Sequence, residues 1–167
     1  MKRIVLSILV DNTAGVLSRV AGLFSRRGYN IDSLTVGETE DPAISRMTVL
    51  AHGDDMILEQ IRKQLNKLED VRELVELYPE ESVTRELILV KVASSEKDRQ
   101  SIISIADIFR AKIVDVAVDS LMIELTGNQS KIDAFINLLE QYTIKELVRT
   151  GITGLARGSG DIADYID

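Results

Sequence analysis

The stretch Asp11-Asn12-Thr13-Ala14-Gly15 carries the residue types and spacing in this sequence that could do chemistry. It lies between an apolar run, Ile4 to Val10, and a segment in which Val16, Leu17, Val20, Leu23 and Phe24 recur at helical spacing. Thr13 or Asn12 is expected to cap that helix, leaving the amides of Gly15, Val16 and Leu17 unpaired in its first turn. A helix start of this kind attracts an anion. The dipole contributes only about 0.3 to 1 kcal/mol for an exposed group, so selectivity for a carboxylate needs further polar partners. Asn12 and Asn30 are expected to supply them, because a side-chain amide donates to a carboxylate and accepts from an ammonium, the two ends of a zwitterion. Taken alone, the same residues also read as a cap and a turn.

The rest of the composition removes other chemistries. The 167 residues include no Cys and one His, which excludes a disulfide framework, a thiol nucleophile and a Cys-based zinc site, and leaves little for metal or triad chemistry. His52 precedes Gly53 at a strand end, with no nucleophile or paired carboxylate set beside it by the pattern. Twenty Lys and Arg stand against 27 Asp and Glu, a net charge of −7, so there is no general attraction for nucleic acid or an anionic membrane. Aromatics make up 4% of the chain, too few for base stacking and enough only to garnish aliphatic cores. The acidic stretch from Glu69 to Glu81 lacks calcium-loop spacing. Asn128-Gln129-Ser130 matches a glycosylation acceptor that has meaning only in a secreted protein, and the glycines of 151–160 satisfy neither the P-loop nor the dinucleotide pattern. No apolar run approaches the length of a membrane-spanning helix, and the expectation is a soluble, cytoplasmic protein.

The elements that must position the loop are readable from periodicity. After the first helix, Arg26 and Arg27 suit its C-terminal end and Gly28 its left-handed stop. Tyr29 to Gly37 and Ala43 to His52 then form a hairpin, Gly53-Asp54-Asp55 caps a second helix with Ile57, Leu58, Ile61, Leu65 and Leu68 on one face, and Val71 to Tyr78 is a fourth strand. Beyond Pro79-Glu80-Glu81-Ser82 the pattern repeats. Strand, helix, hairpin, helix and strand follow through Leu87 to Ala93, Ile102 to Phe109, Lys112 to Thr126, Ile132 to Leu139 and Ile144 to Arg149. The fold class is α+β, two tandem ferredoxin-like βαββαβ units, 2–78 and 83–150, with a linker at 79–82 and a Gly-rich acidic tail at 151–167. The last residues of the tail, with Asp161, Asp164 and Asp167, are expected to be mobile without a partner. Asn30 opens the second strand, at the same end of the sheet as Asn12 or at the equivalent end of a neighbouring chain. Ile4 to Val10 does not alternate: Val5 and Leu9 put apolar groups on the face away from the helices, so that face is expected to be covered by another domain or another chain.

Three stretches carry a resemblance: Asp11-Asn12-Thr13-Ala14-Gly15-Val16-Leu17-Ser18-Arg19-Val20, then Arg27-Gly28-Tyr29-Asn30-Ile31-Asp32-Ser33-Leu34-Thr35-Val36, then Ser45-Arg46-Met47-Thr48. With Arg149-Thr150-Gly151 and Gly154-Leu155-Ala156-Arg157-Gly158, the chain from residue 2 to about 158 resembles the regulatory (small) subunit of acetohydroxyacid synthase, also called acetolactate synthase. The resemblance implies that the first unit is an ACT domain, which binds amino acids between paired domains, and that the chain has no active site and binds no cofactor itself. It implies a homodimer through the ACT domains and a catalytic (large) subunit as partner, holding thiamine diphosphate, magnesium and FAD and joining two 2-ketoacids with loss of carbon dioxide. The small subunit would activate it and confer feedback inhibition by valine or another branched-chain amino acid. The family's effector-contacting positions match Asn12, Gly15 and Asn30, with the amides around Val16, Leu17 and Ile31 beside them. It also makes the tail a candidate contact with the large subunit. Two rivals stand beside this reading. One is a free-standing ACT sensor acting on another enzyme or transporter; the other is an acylphosphatase-like hydrolase using Arg3, Arg19 or Arg46 around an anion.

Overall fold

The computed structural model describes residues 2–160 and Ile162. Asp161, Asp164 and Asp167 of the expected mobile tail lie outside the described residues. The chain divides into two compact units, one of residues 1–84 together with 152–167 and the other of 85–151.

In the first unit β1 (Lys2–Asp11), α1 (Val16–Arg26), β2 (Ile31–Glu38), β3 (Ile44–Gly53), α2 (Asp55–Asn66) and β4 (Val71–Glu76) form an antiparallel sheet of order β2-β3-β1-β4. Ile4, Leu6, Ile8 and Val10 of β1 and Met47, Val49 and Ala51 of β3 face the helices, where they meet Val16, Val20, Leu23 and Phe24 of α1 and Leu58, Ile61 and Leu65 of α2. Burying each such large side chain contributes about 1.5 to 3 kcal/mol, so this contact fixes α1 against the sheet. Asp54 caps α2 by accepting from the Ile57 amide at 2.8 Å.

The second unit repeats the arrangement with β5 (Ser82–Ala93), α3 (Arg99–Ile108), β6 (Lys112–Val116), β7 (Ser120–Gly127), α4 (Gln129–Leu139) and β8 (Ile144–Arg149), in the order β6-β7-β5-β8. Phe135, Ile102, Ile123 and Leu125 centre its core. The repeat extends to irregularities: the register shifts between Leu9 and Val10 in one unit and between Lys91 and Val92 in the other. Asn128 is occupied as the N-cap of α4, accepting from the Lys131 amide at 2.9 Å.

Two expectations change. β5 begins at Ser82, five residues before the apolar run that announced it, and Thr153–Ala156 forms β9, which pairs with β5. The tail therefore begins as ordered structure in the first unit, with Ile152 only 3% exposed. The apolar face of the first sheet away from the helices is indeed buried, Leu9 at 2% and Leu50 at 4% exposure, but its cover includes residues of this same unit: the Ile152 carbonyl and amide are held by Thr35 and Ser33 of β2.

Gly28 and Arg110 occupy matching turns, each following its helix with positive φ, 69° and 59°. An added Cβ at Gly28 would meet nothing within 4 Å, so the difference between the two sites is backbone strain alone. Arg110→Gly is expected to raise the unfolding free energy of the second unit by about 1 kcal/mol in urea titration. Gly28→Ala should lower that of the first unit by about as much; a neutral result for both would contradict the left-handed geometry.

Candidate functional site

The loop after β1 is tied down on both sides before it turns. The Asp11 amide donates to the Asp70 carbonyl at 2.9 Å and the Asn12 amide to the Ala43 carbonyl at 2.8 Å. The Asn12 side chain then donates through Nδ2 to the Pro42 carbonyl at 2.8 Å and to Glu38 Oε2 at 3.3 Å, fastening the loop to the β2–β3 turn. Those bonds turn the Asn12 side chain toward the β2–β3 turn and leave Oδ1 unused among the described residues. The N-cap of α1 is Gly15 and not Thr13 or Asn12, with φ +87° and no side chain capping it. Val16 N–H reaches only the Thr13 carbonyl, at 3.5 Å, and the regular ladder begins with Arg19 N–H on the Gly15 carbonyl at 3.0 Å. Among the described residues the amides of Gly15, Leu17 and Ser18 have no acceptor, so the expected anion-attracting helix start is present, shifted by one residue. Val16 is buried in the core, while Leu17 stands 47% exposed beside the open amides.

Arg19 belongs to this site, although the sequence offered it only as one of three arginines around an anion in the hydrolase alternative. A Cβ added at Gly15 would lie 2.9 Å from Arg19 Nη1, so the guanidinium stands directly over the loop, and the φ of +87° is what favours glycine there. Its position is held by Asp70, which accepts from Nε at 2.6 Å and from Nη2 at 3.1 Å. The hydrogen bond from Arg19, more than the charge itself, holds the Asp70 carboxyl below the usual carboxylate range, and the same bond raises Arg19. Arg72 pairs with Asp11 at 2.7 Å. The spacing of Gly15 and Arg19, one helical turn, was the available signal; Asp70, 51 residues from Arg19, announced itself by nothing local.

Asn30 and Ile31 lie elsewhere. Asp11 pairs with Ile44 and Ile31 with Ala51, and those two β3 residues are seven positions apart, about 23 Å at the usual strand rise. β1 and β2 run parallel with β3 between them, so the end of β1 and the start of β2 fall at opposite ends of the sheet. The same-end placement is thereby excluded within one chain. Asn30 donates to Asp32 Oδ1 at 2.8 Å, and Asp32 also meets His52. Ile31 is partly buried against the core. The structure brings together Asn12, Gly15, Val16 and Leu17, and separates them from Asn30 and Ile31. Among the described residues no group of three or more His, Asp or Glu is placed to hold a metal, and no helix is long and apolar enough to cross a membrane.

Comparison with known proteins places this geometry. The pattern described as the small subunit of acetolactate synthase matches residues 85–158, and that of the AHAS small subunit-like ACT domain matches residues 6–73. The chain belongs to the acetolactate synthase small-subunit family. It is 56% identical over 156 residues to a probable acetolactate synthase small subunit of Methanothermobacter thermautotrophicus, covering 93% of each chain. It is 50% identical over 163 residues to the acetolactate synthase small subunit of Haemophilus influenzae, covering 97% of this chain and 99% of that one. The crystal structure of the acetolactate synthase small subunit from Thermotoga maritima superposes with a TM-score of 0.87 at 44% identity, covering 96% of this chain and all of that one.

Within this small-subunit chain, the two units differ at the candidate site. The Ala93 and Ser94 amides donate to the Thr143 and Asp119 carbonyls as those of Asp11 and Asn12 do to Asp70 and Ala43, which sets Ser94 in the place of Asn12. Asp98 stands where the first unit has Gly15, each the N-cap whose carbonyl accepts from the residue four on, and Lys112, two residues after Arg110, stands where it has Asn30, two after Gly28. Asp98 is the N-cap of α3, and its own amide is bonded to Ser95 Oγ at 3.2 Å. The set of an open glycine turn and two asparagines belongs to the first, ACT unit alone.

The Arg19 clasp makes a prediction about acid. Because the folded-state pKa of Asp70 is depressed, its contribution to holding the loop is present above the ordinary carboxylate pKa and is lost as pH falls through the lower folded value. A carboxyl-carbon NMR titration should place the Asp70 midpoint below that of an unpaired aspartate, and Arg19→Gln should return it to the ordinary range. An unshifted midpoint in the unaltered protein would remove the clasp.

Proposed function

We propose that this chain activates the thiamine-dependent catalytic subunit of acetolactate synthase and makes it subject to feedback inhibition by valine or another branched-chain amino acid. The catalytic subunit, with its thiamine diphosphate, magnesium and FAD, would join the 2-ketoacids, and this chain would sense the end product without an active site of its own. Family membership supports the partner, and the ACT unit supports the amino-acid effector. It also favours this reading over a free-standing ACT sensor.

One observation carries the placement of the effector. Asn12 and Asn30 sit at opposite ends of one sheet whose β2 edge has no strand beyond it. Two copies added edge to edge about a two-fold axis, β2 antiparallel to β2, would carry Asn30 of one copy to the end where the other holds Asn12 and Gly15. An effector there would meet the free amides of Gly15 and Leu17 and Arg19 Nη1 with its carboxylate, and Asn12 Oδ1 and Asn30 with its ammonium. Leu17 and Val36, both exposed, supply apolar wall for a branched side chain. Each methylene distinguishes ligands by about 1 to 3 kcal/mol, so leucine and isoleucine should bind more weakly than valine and not be rejected outright. Because the ligand bridges two chains, it favours one packing of the pair over another. That is the two-state element a coupling of about 1 to 3 kcal/mol requires.

The test is reconstitution. Purified chain mixed with the catalytic subunit should stimulate acetolactate formation, and valine should reverse the stimulation. Asn12→Ala is expected to abolish the valine effect while leaving stimulation intact. Stimulation without any branched-chain amino acid response in the unaltered chain would remove the sensing role, and no stimulation would remove the partner.

A further inference from the structure

Residues 152–157 lie outside the candidate effector loop, yet they are fastened to the strand that follows Asn30. The Ile152 amide donates to Ser33 Oγ at 2.8 Å, and its carbonyl accepts from Thr35 Oγ1 at 3.3 Å. Ser33 and Thr35 are alternate residues of β2 and face the same side of the sheet, away from the helices. Both polar groups of one buried residue are thus taken by the same edge strand. Two residues on, Gly154 is pressed against the chain leaving β4: an added Cβ would lie 2.8 Å from the Val83 carbonyl oxygen and from Thr84 Cγ2, and 3.1 Å from Leu77 Cδ1. Arg157 N–H then donates to the Glu81 carbonyl at 2.8 Å. The segment is therefore a strap fastened at one end to the edge strand β2 and along its length to residues 77–84, the chain that leaves β4 and enters β5.

An edge strand has a hydrogen-bonded neighbour on one side only. β2 is pinned to β3 through a register irregularity between Ile31 and Ser33, at the point where the candidate effector residues end. The strap supplies a second attachment immediately beyond that irregularity. We propose that residues 152–157 are a positioning element for effector binding: by holding Ser33 and Thr35 they fix the course of β2, and with it the place at which Asn30 and Ile31 are presented to a second copy. None of the strap's residues touches the effector. The proposal rests on the sensing role above for its consequence, and on the hydrogen bonds for its cause.

The experiment separates the two. The Ser33→Ala, Thr35→Val double variant removes both attachments and leaves Asn12, Gly15, Arg19 and Asn30 untouched. Hydrogen exchange of the full chain without effector should show faster exchange at β2 amides than in the unaltered protein, with β3 and α1 unchanged. Calorimetric titration with valine should show affinity weakened by at least five-fold and by no more than roughly 150-fold, the full loss of two hydrogen bonds, while stimulation of the catalytic subunit without valine is retained. Thr35→Ser, which keeps the hydroxyl, should bind valine as the unaltered chain does. Gly154→Val should act in the same direction as the double variant by pushing the strap off Val83, with a larger effect. Unchanged β2 exchange, or unchanged valine affinity in the double variant, overturns the proposal. If the unaltered chain binds no branched-chain amino acid, the sensing role falls, and β2 exchange alone still decides whether the strap holds the edge.

Discussion

The open edge of β2 is the constraint on which the rest depends. In a sheet of order β2-β3-β1-β4, β2 has among the described residues one ladder partner, β3, and its other side is a template for another strand. The same order forces Asn12 and Asn30 to opposite ends, because β1 and β2 run parallel on either side of β3. A chain whose polar groups for one ligand are about 23 Å apart has no complete site by itself. On the proposed reading, strand addition across the edge would supply the missing half, and association and sensing would be a single geometric event.

Magnitudes explain why the loop could become specialised while the scaffold stayed fixed. The core contacts of α1 include Phe24, whose truncation would cost about 3 to 5 kcal/mol, whereas the open helix start offers about 0.3 to 1 kcal/mol to an exposed anion. The fold therefore does not rely on the ligand site. The second unit keeps the strand order, the bulge and the left-handed turn after its first helix, carrying even the strain of Arg110 there, and yet has Asp98 and Ser94 where the first has Gly15 and Asn12. The open amides alone bind weakly, and the clasp of Arg19 by Asp70 is what adds a directed donor to them.

The repeat, both hairpins and the helical faces were legible because each rests on short-range periodicity, and Gly28 and Asp54 mark their turns by residue type. The apolar run from Ile4 to Val10 correctly announced a covered face through Val5 and Leu9. What covers it was not legible: Thr153-Gly154-Leu155-Ala156 has no alternation, is four residues long, and takes its place through Ser33 and Thr35, more than a hundred positions away. The capping residue was misplaced for a similar reason. Asn12 is a good cap in isolation, but donation from its Nδ2 to the Pro42 carbonyl turns the side chain toward a distant turn. The placement of Asn30 was decided by strand direction, which residue spacing cannot express.

The account's central claim is that each effector site takes Asn12 from one chain and Asn30 from another. It is tested most directly by mixing. Chains bearing Asn12→Ala and chains bearing Asn30→Ala, each expected to bind no valine alone, are unfolded together, refolded as a mixture and titrated with valine by calorimetry. Random pairing then creates heterodimers with one site built from two intact residues, and binding should return at about a quarter of the sites with the unaltered affinity. No recovery of binding in the mixture, with heterodimers demonstrated by mass, would contradict the claim.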